Sequence, residues 1–148
     1  AKSKTWIHKY TTSNSKYTIK GLKEGRLYDV KVAAMSTVYG KLTAGKYSGT
    51  AHRHFGLVKT PVYTAKKSAI GVSVKKLKGV SGYEVLLSKD KNLKNREIIE
   101  LKGASKTKIT IKKLKKNTFY FLAVRSYKTY RGNKYTGIRT GIKKVKTK

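Results

Sequence analysis

The chain has 148 residues and a formal net charge of +31, from 37 Lys and Arg against six Asp and Glu. That length allows one or two domains with a single core each, and a hydrophobic share of 38% with 11 Tyr argues for a folded protein. The absence of cysteine excludes disulfide and thiol chemistry, no apolar run is long enough for membrane insertion, and the opening AKSKTW has no signal-peptide pattern and reads as cut from something longer.

In chain order, the first part of the sequence predicts strands at 5–10, 16–20 and 27–38, with one more near 47–54. Seven further strands are expected at 61–65, 69–75, 82–88, 96–101, 107–112, 118–128 and 136–145. The warrant is period-two alternation of β-branched and aromatic residues. Tyr120, Leu122, Val124 and Ser126 share one face, and Phe119, Phe121, Ala123 and Arg125 the other. Pro61, the single proline, falls near a strand start, where a missing N–H is tolerated.

The stretch YTIKGLKEGRLYDVKVAA (17–34) returns as ITIKKLKKNTFYFLAVRS (109–126), an offset of 92 residues. Thr37 then aligns with Thr129 and Gly40 with Gly132, after which four extra residues in the first copy bring KYSG (46–49) onto KYTG (134–137). A period near 90 is too long for a solenoid and fits tandem β-sandwiches of about 100 residues. Nothing in the first copy corresponds to what precedes the fourth strand of the second. Residues 1–56 therefore read as the later part of a sandwich, exposing one inner face, and 57–148 as a complete one.

GLKEGRLYDVKVAA and KLKKNTFYFLAVRS resemble the fibronectin type III family, of the Lys-rich kind found in tandem on bacterial surface and secreted proteins. In that family a Leu precedes the tyrosine-corner Tyr by six residues, as Leu22 precedes Tyr28 and Leu114 precedes Tyr120. Gly25 and Asn117 sit between them at the tight turn, and both residue types tolerate left-handed geometry. GYEVLLS (82–88) resembles the family's third strand, and Val74 stands where the family usually has a core Trp. The resemblance implies an all-β, immunoglobulin-like (fibronectin type III) β-sandwich: one complete seven-stranded domain at 57–148, preceded by a partial one at 1–56. It also implies that each Tyr hydroxyl bonds back to the backbone of its turn.

Catalytic constellations are looked for and not found. Glycosidases need two carboxylates and hydrolases a nucleophile with its base. Glu97 and Glu100 differ in strand parity, Glu84 points outward on its strand, and YRGNK lacks the strand–loop–helix context of a phosphate loop. His52 and His54 share one strand face, but two ligands fall short of the usual three or four, and they read as solvated surface histidines. No enzyme activity, metal or cofactor is expected.

The charge is uneven: residues 57–148 hold 26 Lys and Arg against four acids, a net of +22, and residues 1–56 hold 11 against two, a net of +9. Lys75, Lys108, Lys112, Lys113, Lys115 and Lys116 form a candidate polyanion-binding face, against the reading of a solubilising, edge-protecting coat. Leu86, Phe119, Phe121, Arg125, Tyr127 and Tyr130 form a candidate protein-binding patch, against packing on the neighbouring domain. The 31 Lys outnumber six Arg, spread over strands and turns with no helix for a groove. Nucleic-acid binding is therefore expected to be nonspecific and confined to low salt. The resemblance implies a non-catalytic extracellular binding or adhesion module of a larger bacterial surface or secreted protein. Its partners would be a host protein (a secreted glycoprotein or immunoglobulin by analogy), a glycan, or an anionic bacterial wall polymer. The alternative is an accessory or spacer domain of a secreted cell-wall- or glycan-active enzyme.

Overall fold

Two left-handed turn residues and a tyrosine hydroxyl, repeated 92 residues apart, organise both halves of the chain. The structure, a computed structural model, describes residues 10–148, so the strand expected at 5–10 lies almost wholly outside the described residues. The described strands are β1 (Arg26–Val30), β2 (Met35–Val38), β3 (Lys41–Ala44) and β4 (Ala51–Phe55) in the first unit. The second unit holds β5 (Val62–Lys66), β6 (Ala69–Ser73), β7 (Gly82–Ser88) and β8 (Glu97–Lys102). It continues with β9 (Lys108–Ile111), β10 (Phe119–Tyr130), β11 (Asn133–Thr136) and β12 (Lys143–Lys146).

In the second unit a three-stranded sheet, β5-β6-β9, faces a five-stranded one in which β11-β10-β7-β8 are adjacent and β12 also pairs with β10. All pairings are antiparallel. Ile70, Val72 and Ile111 from the small sheet meet Tyr83, Val85, Leu87, Tyr120, Leu122 and Val124 from the large one, and Val74 and Val58 join the same core. Each fully buried Val or Leu here contributes about 1.5–3 kcal/mol of transfer free energy.

The single strand expected at 136–145 is two strands, β11 and β12. Between the pairs Tyr127↔Thr136 and Leu122↔Lys143, β10 advances five residues while the returning chain advances seven. The two extra residues form a bulge. At its centre the Thr140 hydroxyl accepts from the Val124 N–H at 3.0 Å, and the Thr140 N–H donates to the Val124 carbonyl at 2.8 Å. The first unit repeats this device. Val30↔Ala51 and Met35↔Ala44 bracket the same five-to-seven mismatch, and the Ser48 hydroxyl accepts from the Val32 N–H at 3.0 Å.

Ser48 and Thr140 are again 92 apart, as are the cross-strand pairs Tyr28↔Arg53 and Tyr120↔Val145. The copies therefore superimpose without a gap, and the four-residue insertion read from KYSG and KYTG is corrected by strand register. Both hairpins also turn on the same two left-handed positions, Tyr39 (φ 49°) with Gly40 and Arg131 (φ 49°) with Gly132, the geometry of a tight two-residue hairpin.

The strand expected at 16–20 does not form. Its counterpart β9 is held by β6 through Ile70↔Ile111, and among the described residues the first unit offers no such neighbour. For the same reason the strand expected at 27–38 is broken into β1 and β2. Its counterpart β10 is continuous because β7 pairs with it from Phe121 to Tyr127.

Candidate functional site

Both tyrosine corners are formed. The Tyr28 hydroxyl accepts from the Lys23 N–H at 2.8 Å, and the Tyr120 hydroxyl from the Lys115 N–H at 3.0 Å. Leu22 and Leu114 are half-buried beneath them, Leu114 against the main core. The turns need φ > 0 at Gly25 (75°) and Asn117 (51°), and again at Gly21 (72°) and Lys113 (60°). A side chain at the last position costs about 1–2 kcal/mol that Gly21 avoids.

The candidate protein patch is only partly on the surface. Leu86 (2% exposed) and Tyr127 (3%) are buried, which corrects their assignment to an open patch. The outward face of β7 and β10 is covered by a loop. Asp90 accepts from the Asn92 and Lys94 N–H groups at 2.8 and 3.3 Å, Ser88 donates to the Lys94 carbonyl at 2.6 Å, and the folded loop lays Leu93 onto Leu86 and Ala123. Phe121 and Ile142 pack on the rim of this second cluster. Phe119 (46%) and Tyr130 (48%) remain exposed, at opposite ends of β10.

Farther along the same face, four strands carry a charged row. Glu84 is buried, with the Arg125 guanidinium 2.7 Å from one carboxylate oxygen and the Lys134 ammonium 3.2 Å from the other. Lys134 reaches Glu100 at 3.1 Å and lies 4.6 Å above the Tyr127 ring. Tyr127 and Lys134 hold the Glu100 carboxyl below its usual value. Burial and the bond to Glu100 push the Tyr127 phenol up to about 12. Each charge in this row meets a partner, so its role is to fasten β8, β7, β10 and β11 together.

The histidines part company. His52 lies 2.6 Å from Asp29 and edge-on to Tyr135. His54 is 5% exposed, which corrects its reading as a surface residue. It sits in a seam between the two units, its Nε2 3.3 Å from the Ser126 hydroxyl, while Ser126 donates to the Gly56 carbonyl at 2.7 Å. Burial lowers the His54 pKa, aided by Lys128 and opposed by the Arg26 carbonyl. Glycines permit this close approach. A Cβ on Gly56 would stand 2.5 Å from both His54 and Ser126, and one on Gly25 would strike the Lys78 carbonyl. The signal that could have found His54 is its companion Gly56, two residues on, at a point where the chain leaves one unit for the next.

The six lysines of the candidate polyanion face, Lys75, Lys108, Lys112, Lys113, Lys115 and Lys116, are all exposed. They do not form one patch. Lys108 opens β9 opposite Ser73, near Lys75, whereas Lys112 to Lys116 occupy the turn beyond the other end of β9. That turn is knit to the C-terminal strand: Thr147, itself buried, donates to the Lys115 carbonyl at 2.6 Å and accepts from the Thr118 N–H at 3.0 Å. Lys148 bonds on to β5, its N–H to the Lys66 carbonyl and its carbonyl to the Ser68 N–H, each at 3.0 Å. Among the described residues no group of three or more His, Asp or Glu is placed to hold a metal, and no helix is long and apolar enough to cross a membrane.

No protein-family model matches the chain, and no curated protein matches it. Among solved structures, the chicken CNTN1 FN1-FN3 domains superimpose with a TM-score of 0.52 at 18% identity, over 88% of this chain and 44% of that one. The fold is that of fibronectin type III domains. The chain thus spans less than half the length of that fibronectin type III structure. A human KIAA0970 fibronectin type III domain aligns over 61% of this chain and 72% of its own, with 19% identity and a TM-score of 0.45. Domains d3-d4 of the rat CD45 extracellular region align over 97% and 75%, with 15% identity and a TM-score of 0.47.

Proposed function

We propose that the chain is a non-catalytic extracellular binding module, a stiffly joined pair of fibronectin type III units from a larger bacterial surface or secreted protein. The observation that carries this reading is the division between what the two copies keep and what they change. Tyr28 and Tyr120, their turn residues and the hydroxyls of Ser48 and Thr140 hold identical roles. The positions on the far face diverge: Leu27 is replaced by the exposed Phe119, while Phe121 and Ala123 replace Asp29 and Lys31 and seat the loop that carries Leu93. A spacer needs only the conserved part, whereas a binding surface is made by the variable part. Val58 anchors the junction in the second core, and the glycine-lined seam beside it holds the exposed faces in a set orientation.

The test is capture on the immobilised chain, at physiological salt, from host secretions and from bacterial wall fractions. A component that stays bound through a salt rinse supports the module. If every retained species elutes with salt in proportion to its charge alone, the chain is only a polycation and the reading fails.

A further inference from the structure

The two copies supply an internal control for the lysines. At the corner turn the second unit has lysine at 112, 113, 115 and 116, where the first has Lys20, Gly21, Lys23 and Glu24. On and just beyond the adjoining β12, Lys143, Lys144, Lys146 and Lys148 stand where the first unit has Ala51, His52, His54 and Gly56, Lys144 and Lys146 on the Phe119 face of the sheet and Lys143, paired with Leu122, on the other. Eight positive charges thus replace two positive and one negative, a difference of seven at equivalent sites. The first unit makes the same corner and the same strand pairing without them, so the fold does not require them. Lys113 even occupies a left-handed position that Gly21 fills without strain.

Three chain segments build this end into one platform. Backbone hydrogen bonds tie residues 66–68, 114–118 and 147–148 together, with Thr147 at the junction. None of the eight lysines is paired with a carboxylate among the described residues. The corresponding end of the first unit is the seam, closed by glycines and a buried histidine. An end so rich in ammonium groups is unsuited to such a seam, because each group closed into it would have to be desolvated without a partner.

We infer that this end of the second unit is a docking surface for a linear phosphodiester polymer that carries no stacking rings, such as a polyol phosphate chain. The inference rests on the binding-module reading and gives it an occupant. Lysine presents point charges on flexible stems, which suit anionic groups whose geometry is not fixed. The planar arginine fork preferred for bidentate readout is absent from all eight positions. The single exposed ring here, Phe119, already has the Lys144 ammonium 4.0 Å from its centroid and Lys146 at 5.5 Å. That leaves no free platform for nucleobases, whose stacking otherwise anchors single strands.

The experiment measures binding of poly(glycerol phosphate), heparin and single-stranded DNA to the full chain at physiological salt. Reversing Lys112, Lys144 and Lys146 to Glu is expected to weaken poly(glycerol phosphate) binding about tenfold or more. Reversing Lys75, Lys106 and Lys108, the same change in total charge, is expected to leave it within about twofold. Equal losses in the two triple variants would overturn the site. Tighter binding of heparin or DNA, lost in the first triple variant, would overturn the occupant while sparing the binding-module reading. Lys113→Gly separates folding from binding: it restores the first unit's residue, so it should unfold no more easily while binding more weakly. Unchanged affinity in that variant counts against the platform.

Discussion

Val32 and Val124 occupy equivalent positions in the two units, yet the first is 67% exposed and the second 0%. Around both, the same backbone is built: the tyrosine corner, the two-residue hairpin and the hydroxyl-filled bulge. These devices are short-range, closing bonds between residues a few places apart or across one hairpin, so they form wherever their residues recur. Burial is long-range. Val124 is covered because β7 lies beside β10 and β6 lies across the sandwich, and the described part of the first unit contains neither counterpart. Local pattern sets the shape of the chain, and the opposing sheet decides whether that shape acquires a core.

The largest effect should separate the units outright. Leu122→Ala removes a side chain from the fully enclosed core and is expected to cost about 2–5 kcal/mol in denaturant unfolding, while Val32→Ala should lie within about 0.5 kcal/mol. Comparable losses at both would mean that the first unit has a core of its own. Next comes the corner. Tyr120→Phe leaves the part-buried Lys115 N–H without its acceptor and should cost about 1 kcal/mol. Tyr28→Phe frees an N–H that water can reach and should cost clearly less.

The smallest effect belongs to the seam and depends on pH. His54 has its folded pKa lowered, so its neutral form is favoured in the folded chain. Its contribution is complete above the unfolded value of about 6.5 and is lost as pH falls through that value toward the folded one. Melting curves should therefore drop as the buffer is acidified across that window, and His54→Gln should flatten the dependence relative to the parent. An identical slope in both proteins would show that His54 is not its source.

Much of the second unit was readable from β-branched and aromatic runs bounded by turn residues, although only β5 and β9 are cleanly half-buried and β7 is buried on both faces. The corner was readable from Leu, Gly or Asn, and Tyr at fixed spacing. What escaped was decided elsewhere. KYSG and KYTG share three of four residues, but likeness of composition carries less weight than register. Ser48 and Thr140 are bound to equivalent N–H groups, and that fixes the alignment. Leu86 and Tyr127 were placed on the correct side of their strands, yet irregular chain covers Leu86 and the charged row encloses Tyr127. Alternation reports which way a side chain points, not what lies over it.

The bonding of Thr147 and Lys148 has a mechanical consequence. These residues are hydrogen-bonded at once to Thr118, which leads into the large sheet, and to Lys66 and Ser68 beside the small one. Tension applied at Lys148 along the strand direction would be shared by bonds on both sides of the sandwich, with β12 loaded in shear against β10 rather than peeled from it. A pull in that direction would load the two sheets together and spare the hairpin that joins β10 to β11.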